Sequence, residues 1–191
     1  MAHRGDSFLL VMPTSRFSTI HDWRVVPNRP VIERALGHAR RAYGDLSAPH
    51  YHFFGWALEE DPYVELVAEL SIDFTVRDTT DVHGSDVCFT YSLTKGTELW
   101  ICRFSAVGPF ALVYRLLQND RGLVVHRSDV LSDVRALPPH EARLLTIIAS
   151  RGLELLDPDV VETLVNFSPV NDTSPAPLYQ VLYSDDEIPW M

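Results

Sequence analysis

The residues best placed to do chemistry are three histidines and their acidic neighbours. His50 and His52 stand two apart in an aromatic stretch that runs to Trp56. On an extended strand alternate residues share a face, so both imidazoles would reach one ion, with His83, Asp81 or Asp86 completing its shell. The plainer reading is two polar side chains on a strand lined with Tyr51, Phe53 and Phe54. Asp81, His83 and Asp86 share a loop, but their spacing matches no calcium-binding loop.

The two cysteines, Cys88 and Cys102, are the second candidate. In the hairpin register derived below they face each other across neighbouring strands, near enough for redox coupling. In a reducing compartment two ordinary thiols are the expected state. There is no C-x-x-C, no G-x-S-x-G, no G-x-G-x-x-G and no P-loop. Glu65 with Glu69 or Asp73 has the chemistry for acid/base work, and a solvated sheet face accounts for the same residues. No enzyme is indicated, and no cofactor is called for.

The elements that would position these groups follow from periodicity and capping. Pro30 at a first helical position, Gly44 as a stop and an apolar stripe through Val31, Ile32, Ala35, Leu36, Ala39 and Tyr43 predict a helix over Pro30–Tyr43. Aromatic richness predicts a strand over His50–Leu58. Residues 63–77 alternate, with Val67 the one misfit, and predict a long strand with one wet face. Gly96, read as the third residue of a Thr94-Lys95-Gly96 loop, pairs Phe89 with Ile101, Tyr91 with Leu99 and Cys88 with Cys102. Further helices are expected over Pro109–Asn119, over Pro139–Arg151, and from Asp157-Pro158 to Val165. Short strands are expected at Ser7–Met12 and Leu123–His126. Strands in the middle and helices toward the end predict one α+β domain over residues 1–191. Its central antiparallel sheet should have about four to six strands, flanked by three or four helices mostly from the C-terminal half.

Composition bounds the rest. The chain has 191 residues, 46% hydrophobic and 22% charged, enough for a core without staples. Net charge is −10, divided unevenly: about +3 over residues 1–58 and −13 over the remainder. Arg outnumbers Lys fifteen to one, which is read as the mark of a GC-rich coding sequence and not as chemistry. No Lys/Arg block marks a nucleic-acid footprint. The longest early apolar run, Phe8–Met12, is too short for a signal core or a membrane span, so the expected location is cytoplasmic and no membrane partner is expected. Arg4-Gly5-Asp6 and the glycosylation-type triplets at Asn166 and Asn171 are read as chance.

What remains is surface. Glu59-Glu60-Asp61, Asp81 with Asp86, and Asp185-Asp186-Glu187 fall at turns and at the terminus, with Trp56 and Trp190 near them. Acidic groups that steer and aromatics that anchor suit a basic protein partner. Trp190 is expected to dock on its own core in preference to a partner. In size, charge and lack of catalytic signatures the chain resembles the immunity proteins of bacterial toxin systems, a likeness of profile that transfers no site. It implies a non-enzymatic cytoplasmic protein that neutralises a basic toxin. The alternative is a metal-dependent enzyme or binder built on His50, His52 and His83.

Overall fold

Five strands lie side by side in chain order. They are β1 (Thr75–Asp78), β2 (Cys88–Lys95), β3 (Glu98–Ser105), β4 (Phe110–Asn119) and β5 (Gly122–Val124), each antiparallel to the next. The computed structural model describes residues 28–83, 86–119, 122–168 and 175–191. The readings at Ser7–Met12, Arg4-Gly5-Asp6 and Asn171 lie outside them. A sixth strand, β6 (Glu154–Leu155), joins the start of β4 in parallel. A separate two-stranded ladder pairs β7 (Leu164–Val165) with β8 (Ala176–Pro177).

Helices cover both faces. One core packs Cys88, Phe110, Leu112 and Tyr114 against α1 (Arg29–Tyr43), α5 (Pro158–Val161) and α6 (Leu178–Leu182). The other packs Phe89, Leu93, Trp100, Cys102, Phe104 and Val113 against α3 (Val64–Leu70) and α4 (Pro139–Ser150). Between them α2 (His52–Glu60) crosses the rim where β1 ends and β2 begins, lending Tyr51 at its start to the first core and Phe54 to the second. The arrangement is the expected α+β class with a central sheet. Among the described residues no helix is long and apolar enough to cross a membrane.

Local capping rules decide one end of each of two helices. Gly44, at φ 77°, closes α1 with its N–H on the Arg40 carbonyl, a left-handed stop that suits glycine. Tyr43 at that end donates to the Val181 carbonyl at 2.8 Å, tying α1 to α6. The Asp157 carboxylate accepts from the Val160 N–H and starts α5, which ends at Val161, short of the expected Val165.

Four expectations are overturned. His50–Leu58 is not a strand, because Phe53, Phe54, Ala57 and Leu58 turn inward while His52, Trp56, Glu59 and Glu60 face solvent, the period of a helix. The long strand over 63–77 is α3 followed by the short β1. Val67 joins Leu66, Leu70 and Phe74 in the core, as an α-helical turn requires. Pro109–Asn119 is the strand β4, not a helix. Residues 110–114 are all buried, alternately in the two cores. A helix on one core would bury roughly three of them. The two on the second face, Ala111 and Val113, contribute about 2–4 kcal/mol together, against helix preferences of tenths of a kcal/mol.

The hairpin register is the fourth correction. Gly96 (φ 62°) opens a two-residue Gly96-Thr97 turn, so Lys95 pairs with Glu98, Tyr91 with Cys102 and Cys88 with Ser105. The shift is an odd number of residues, which turns every side chain to the opposite face. Cys88 and Cys102 therefore lie in different cores, both as free thiols.

Gly108 bridges β3 and β4 where α1 crosses. A Cβ there would stand 2.8 Å from ring atoms of His38 and 2.9 Å from Phe110. Gly108→Ala should lower stability by about 1–3 kcal/mol through overpacking, read as a lower urea midpoint at unchanged slope.

Candidate functional site

The pattern of ion pairing separates one part of the surface from the rest. Outside the neighbourhood of α2 many acidic side chains have an arginine. Glu33 meets Arg29, Glu154 meets Arg34, and Asp159 and Glu162 share Arg127. Glu65 and Glu69 on α3 reach Arg151 at 2.9 and 2.7 Å, and Asp73 pairs with Arg143. These three carboxylates tie α3 to α4 and have no acid/base geometry. By contrast, among the described residues no Lys or Arg pairs with Glu59, Glu60, Asp61, Asp78, Asp185, Asp186 or Glu187.

The fold gathers these seven around α2. At the helix start, Tyr51 lies within the field of Asp185, which helps burial raise the tyrosine's pKa. Burial, then the neighbouring Asp186 and Asp86, raises the Asp185 carboxyl above its ordinary range. The Val87 N–H donates to the Tyr183 carbonyl at 2.8 Å, fastening the acidic C-terminal segment beside β2. At the helix end, Asp61 closes the last turn with its N–H on the Ala57 carbonyl. Its φ of 42° is the one positive value outside glycine among the described residues. Such a conformation costs of order 1–3 kcal/mol and is borne more easily by Asp than by most residues.

Asp61 and Asp78 stand on the walls of a groove of about 360 Å³, lined also by Leu58, Thr80, Val82 and Phe89. Below it, burial and then Asp78 and Asp61 hold the Tyr91 hydroxyl protonated. Between the two ends of α2, Trp56 is 67% exposed and Val82 near the groove 51%. Asp81 accepts from the His83 N–H in the loop that carries Val82.

Two expected members stand apart. Trp190 donates its indole N–H to Glu162 at 2.7 Å and lies edge-on to Tyr114, docked on its own domain as expected. Asp86 is largely buried and faces Arg103, 4.0 Å away. The metal reading loses its strand. His50 and His52 precede and begin α2, exposed and stacked with ring centroids 6.4 Å apart. Among the described residues the three-donor group lies elsewhere, at Glu98, His140 and Glu141. There the Arg115 guanidinium takes both Glu141 oxygens and the Trp100 indole N–H takes one at 2.7 Å. A cation would have to displace that arginine.

Sequence reading missed these inner charges. Glu141 is fully buried between α4, β3 and β4. Its signal was spacing, since it sits three, four and seven residues before Leu144, Leu145 and Ile148 on the apolar stripe. Arg103 lies over the Tyr179 ring at 5.7 Å. Burial alone would depress its pKa, but Tyr179, Tyr114, Cys88 and Asp86 raise it above its ordinary value. Its Nε and Nη1, and the hydroxyls of Tyr179 and Tyr183, are buried without a hydrogen-bond partner among the described residues. The signal for Arg103 was a charge sharing a strand face with Ile101 and Ser105 inside an apolar strand.

Glu141→Ala should cost about 3–5 kcal/mol, since it strands a half-buried guanidinium and an indole N–H. Glu141→Gln keeps an acceptor for Trp100 and should cost less in the same denaturation experiment. Burial pushes the Cys88 thiol up to about 11 and Cys102 higher still. Neither should react with an aromatic disulfide reagent at pH 8 in the native protein, and both should react in guanidinium.

Against family models, curated proteins and solved structures alike, the chain gives no match, so its functional reading rests on this geometry.

Proposed function

We propose that this chain is a non-enzymatic interaction protein that binds a basic protein partner through the acidic rim around α2, as an immunity-type protein neutralises a bacterial toxin. The observation that carries the reading is the absence, among the described residues, of Lys or Arg partners for the rim carboxylates, where most of the other described acidic groups are ion-paired. Carboxylates left without counter-charges repel one another and lower the stability of the free protein. A cationic partner relieves that repulsion on binding.

The division of labour follows from physics. Over a Debye length of roughly 8 Å at physiological salt, the rim draws a positive surface toward α2. Trp56 then supplies a large, weakly hydrated contact of the kind that dominates interface energy. The exposed Val82 extends the apolar area. Neutralisation by occlusion needs no catalytic group, which fits a site made of carboxylates, an indole and a valine. The profile likeness to immunity proteins points the same way, toward a cytoplasmic inhibitor of a basic toxin.

The test is affinity capture of the tagged chain from its source lysate at low salt, followed by stopped-flow association with the basic protein recovered. Wild-type association should slow as salt rises. The triple reversal Glu59→Lys, Glu60→Lys, Asp61→Lys should slow it several-fold at low salt and flatten the salt dependence. Trp56→Ala should act mainly on dissociation. An association rate indifferent to both reversal and salt would refute the steering role.

A further inference from the structure

We infer that the partner engages this rim by adding an extended basic segment to the open edge of β1 and placing one cationic side chain in the groove between Asp61 and Asp78. The inference rests on the acidic-rim reading and specifies its mode of binding.

Three observations meet here. The first is an open edge. The sheet order begins with β1, and among the described residues no strand pairs with its outer side. At the other end of the sheet the outer side of β4 is covered by β5, β6 and a bridge from Tyr114 to Val130, and the edges that β5 and β6 present are only three and two residues long. The inward pairing fixes which groups are open. The Thr79 N–H donates to the Thr90 carbonyl, and 75 pairs with 94 in the same register. By the alternation of an antiparallel ladder, Thr75 and Arg77 turn their backbone groups toward β2, while Val76 and Asp78 turn theirs outward. An extended chain laid along this edge finds donors and acceptors at both residues, the interaction used in recognition by strand addition.

The second observation is the groove at the end of that edge. Leu58, Val82 and Phe89 give it an apolar lining, and the carboxylates of Asp61 and Asp78 stand on its walls. A side chain that suits both surfaces has an apolar stem and a cationic head, which describes Arg and Lys. Asp78 belongs to both features, since its backbone lies on the open edge and its side chain on the groove. A segment paired with β1 therefore delivers a side chain directly to the groove.

The third is charge. The rim carboxylates around α2, which have no cationic partner among the described residues, favour a positively charged segment over a neutral one. The shortness of β1, four residues, limits the backbone contribution to roughly two outward pairing positions. Charge and the groove must therefore supply much of the affinity. The same shortness, with Arg77 in the strand, guards the edge against indiscriminate pairing.

The test uses the full chain, isotopically labelled for amide NMR, and two peptides of equal charge. One alternates Arg with Val over seven residues. The other carries Pro in place of each Val and has no N–H there to pair. The Val peptide should move the amides of Val76 and Asp78 in a saturable way and bind about ten-fold tighter than the Pro peptide, in line with two backbone hydrogen bonds. The double variant Asp61→Asn, Asp78→Asn should weaken the Val peptide several-fold without unfolding the protein. Equal, salt-sensitive binding of both peptides around α2 would overturn strand addition and leave the acidic-rim reading intact. Amides of Val76 and Asp78 already protected from exchange in the free chain would show the edge occupied, by residues of this chain or by a second copy, and would also overturn it. If neither peptide binds in a salt-sensitive manner, both readings fall together.

Discussion

The constraint on which the structure depends is a sheet that is covered on both faces. Residues 110–114 of β4 alternate between two cores, and β2 and β3 do the same with Cys88 and Phe89 and with Ile101 and Cys102. An antiparallel sheet often leaves one face in water, but this one cannot. It therefore needs a helical layer on each side, which α1, α5 and α6 supply on one and α3 and α4 on the other. Once both faces are covered, charged groups are left to helix backs, sheet edges and loop ends. The acidic rim follows from that exclusion, with α2 set across the gap between the layers.

Among the charges that remain inside, Glu141 and Arg103 each join layers that hydrophobic packing alone would hold without direction. Glu141 locks the first turn of α4 to Trp100 and Arg115, fixing the helix against β3 and β4. A carboxylate in the first turn is also favoured by the helix dipole. Arg103 does the equivalent on the opposite face, among Asp86, Tyr114 and Tyr179, with Ser105 of the same strand donating to the Leu182 carbonyl at 2.6 Å. Buried pairs of this kind contribute little net stability and make their own loss costly. Their effect is to set how helices sit on the sheet, and with that the placement of Asp86 and the acidic segment after Tyr183.

The sequence was most legible where one local rule decides. Pro30 and Gly44 bound α1, Asp157 caps α5, and the stripe of Leu144, Leu145 and Ile148 marks α4. It misled where tertiary cover reverses a local pattern. In residues 63–77, alternation concealed the turn of helix that Val67 announced. In α2 the aromatic residues suggested a strand, although Phe53, Phe54, Ala57 and Leu58 carry the helical period. At Gly96 the left-handed residue was correctly expected, but its place in the turn was not, and that alone exchanged the two faces of the hairpin. The acidic residues of the rim were legible as runs. Their convergence was not, because it depends on α2 being a helix that places Tyr51 by Asp185 at one end and Asp61 by Asp78 at the other.

Seen from the rim, the fold holds a negative, aromatic-bearing surface beside α2, and the proposed function rests on that surface. The most direct measurement is amide hydrogen exchange on the intact chain, alone and with the basic protein it captures at low salt. Exchange should slow upon binding in residues 52–61 and 76–83 and stay unchanged along the exposed face of α1, with the protection lost as salt is raised. Protection confined to α1 or to the backs of α3 and α4, with residues 52–61 unaffected, would contradict binding through the acidic rim.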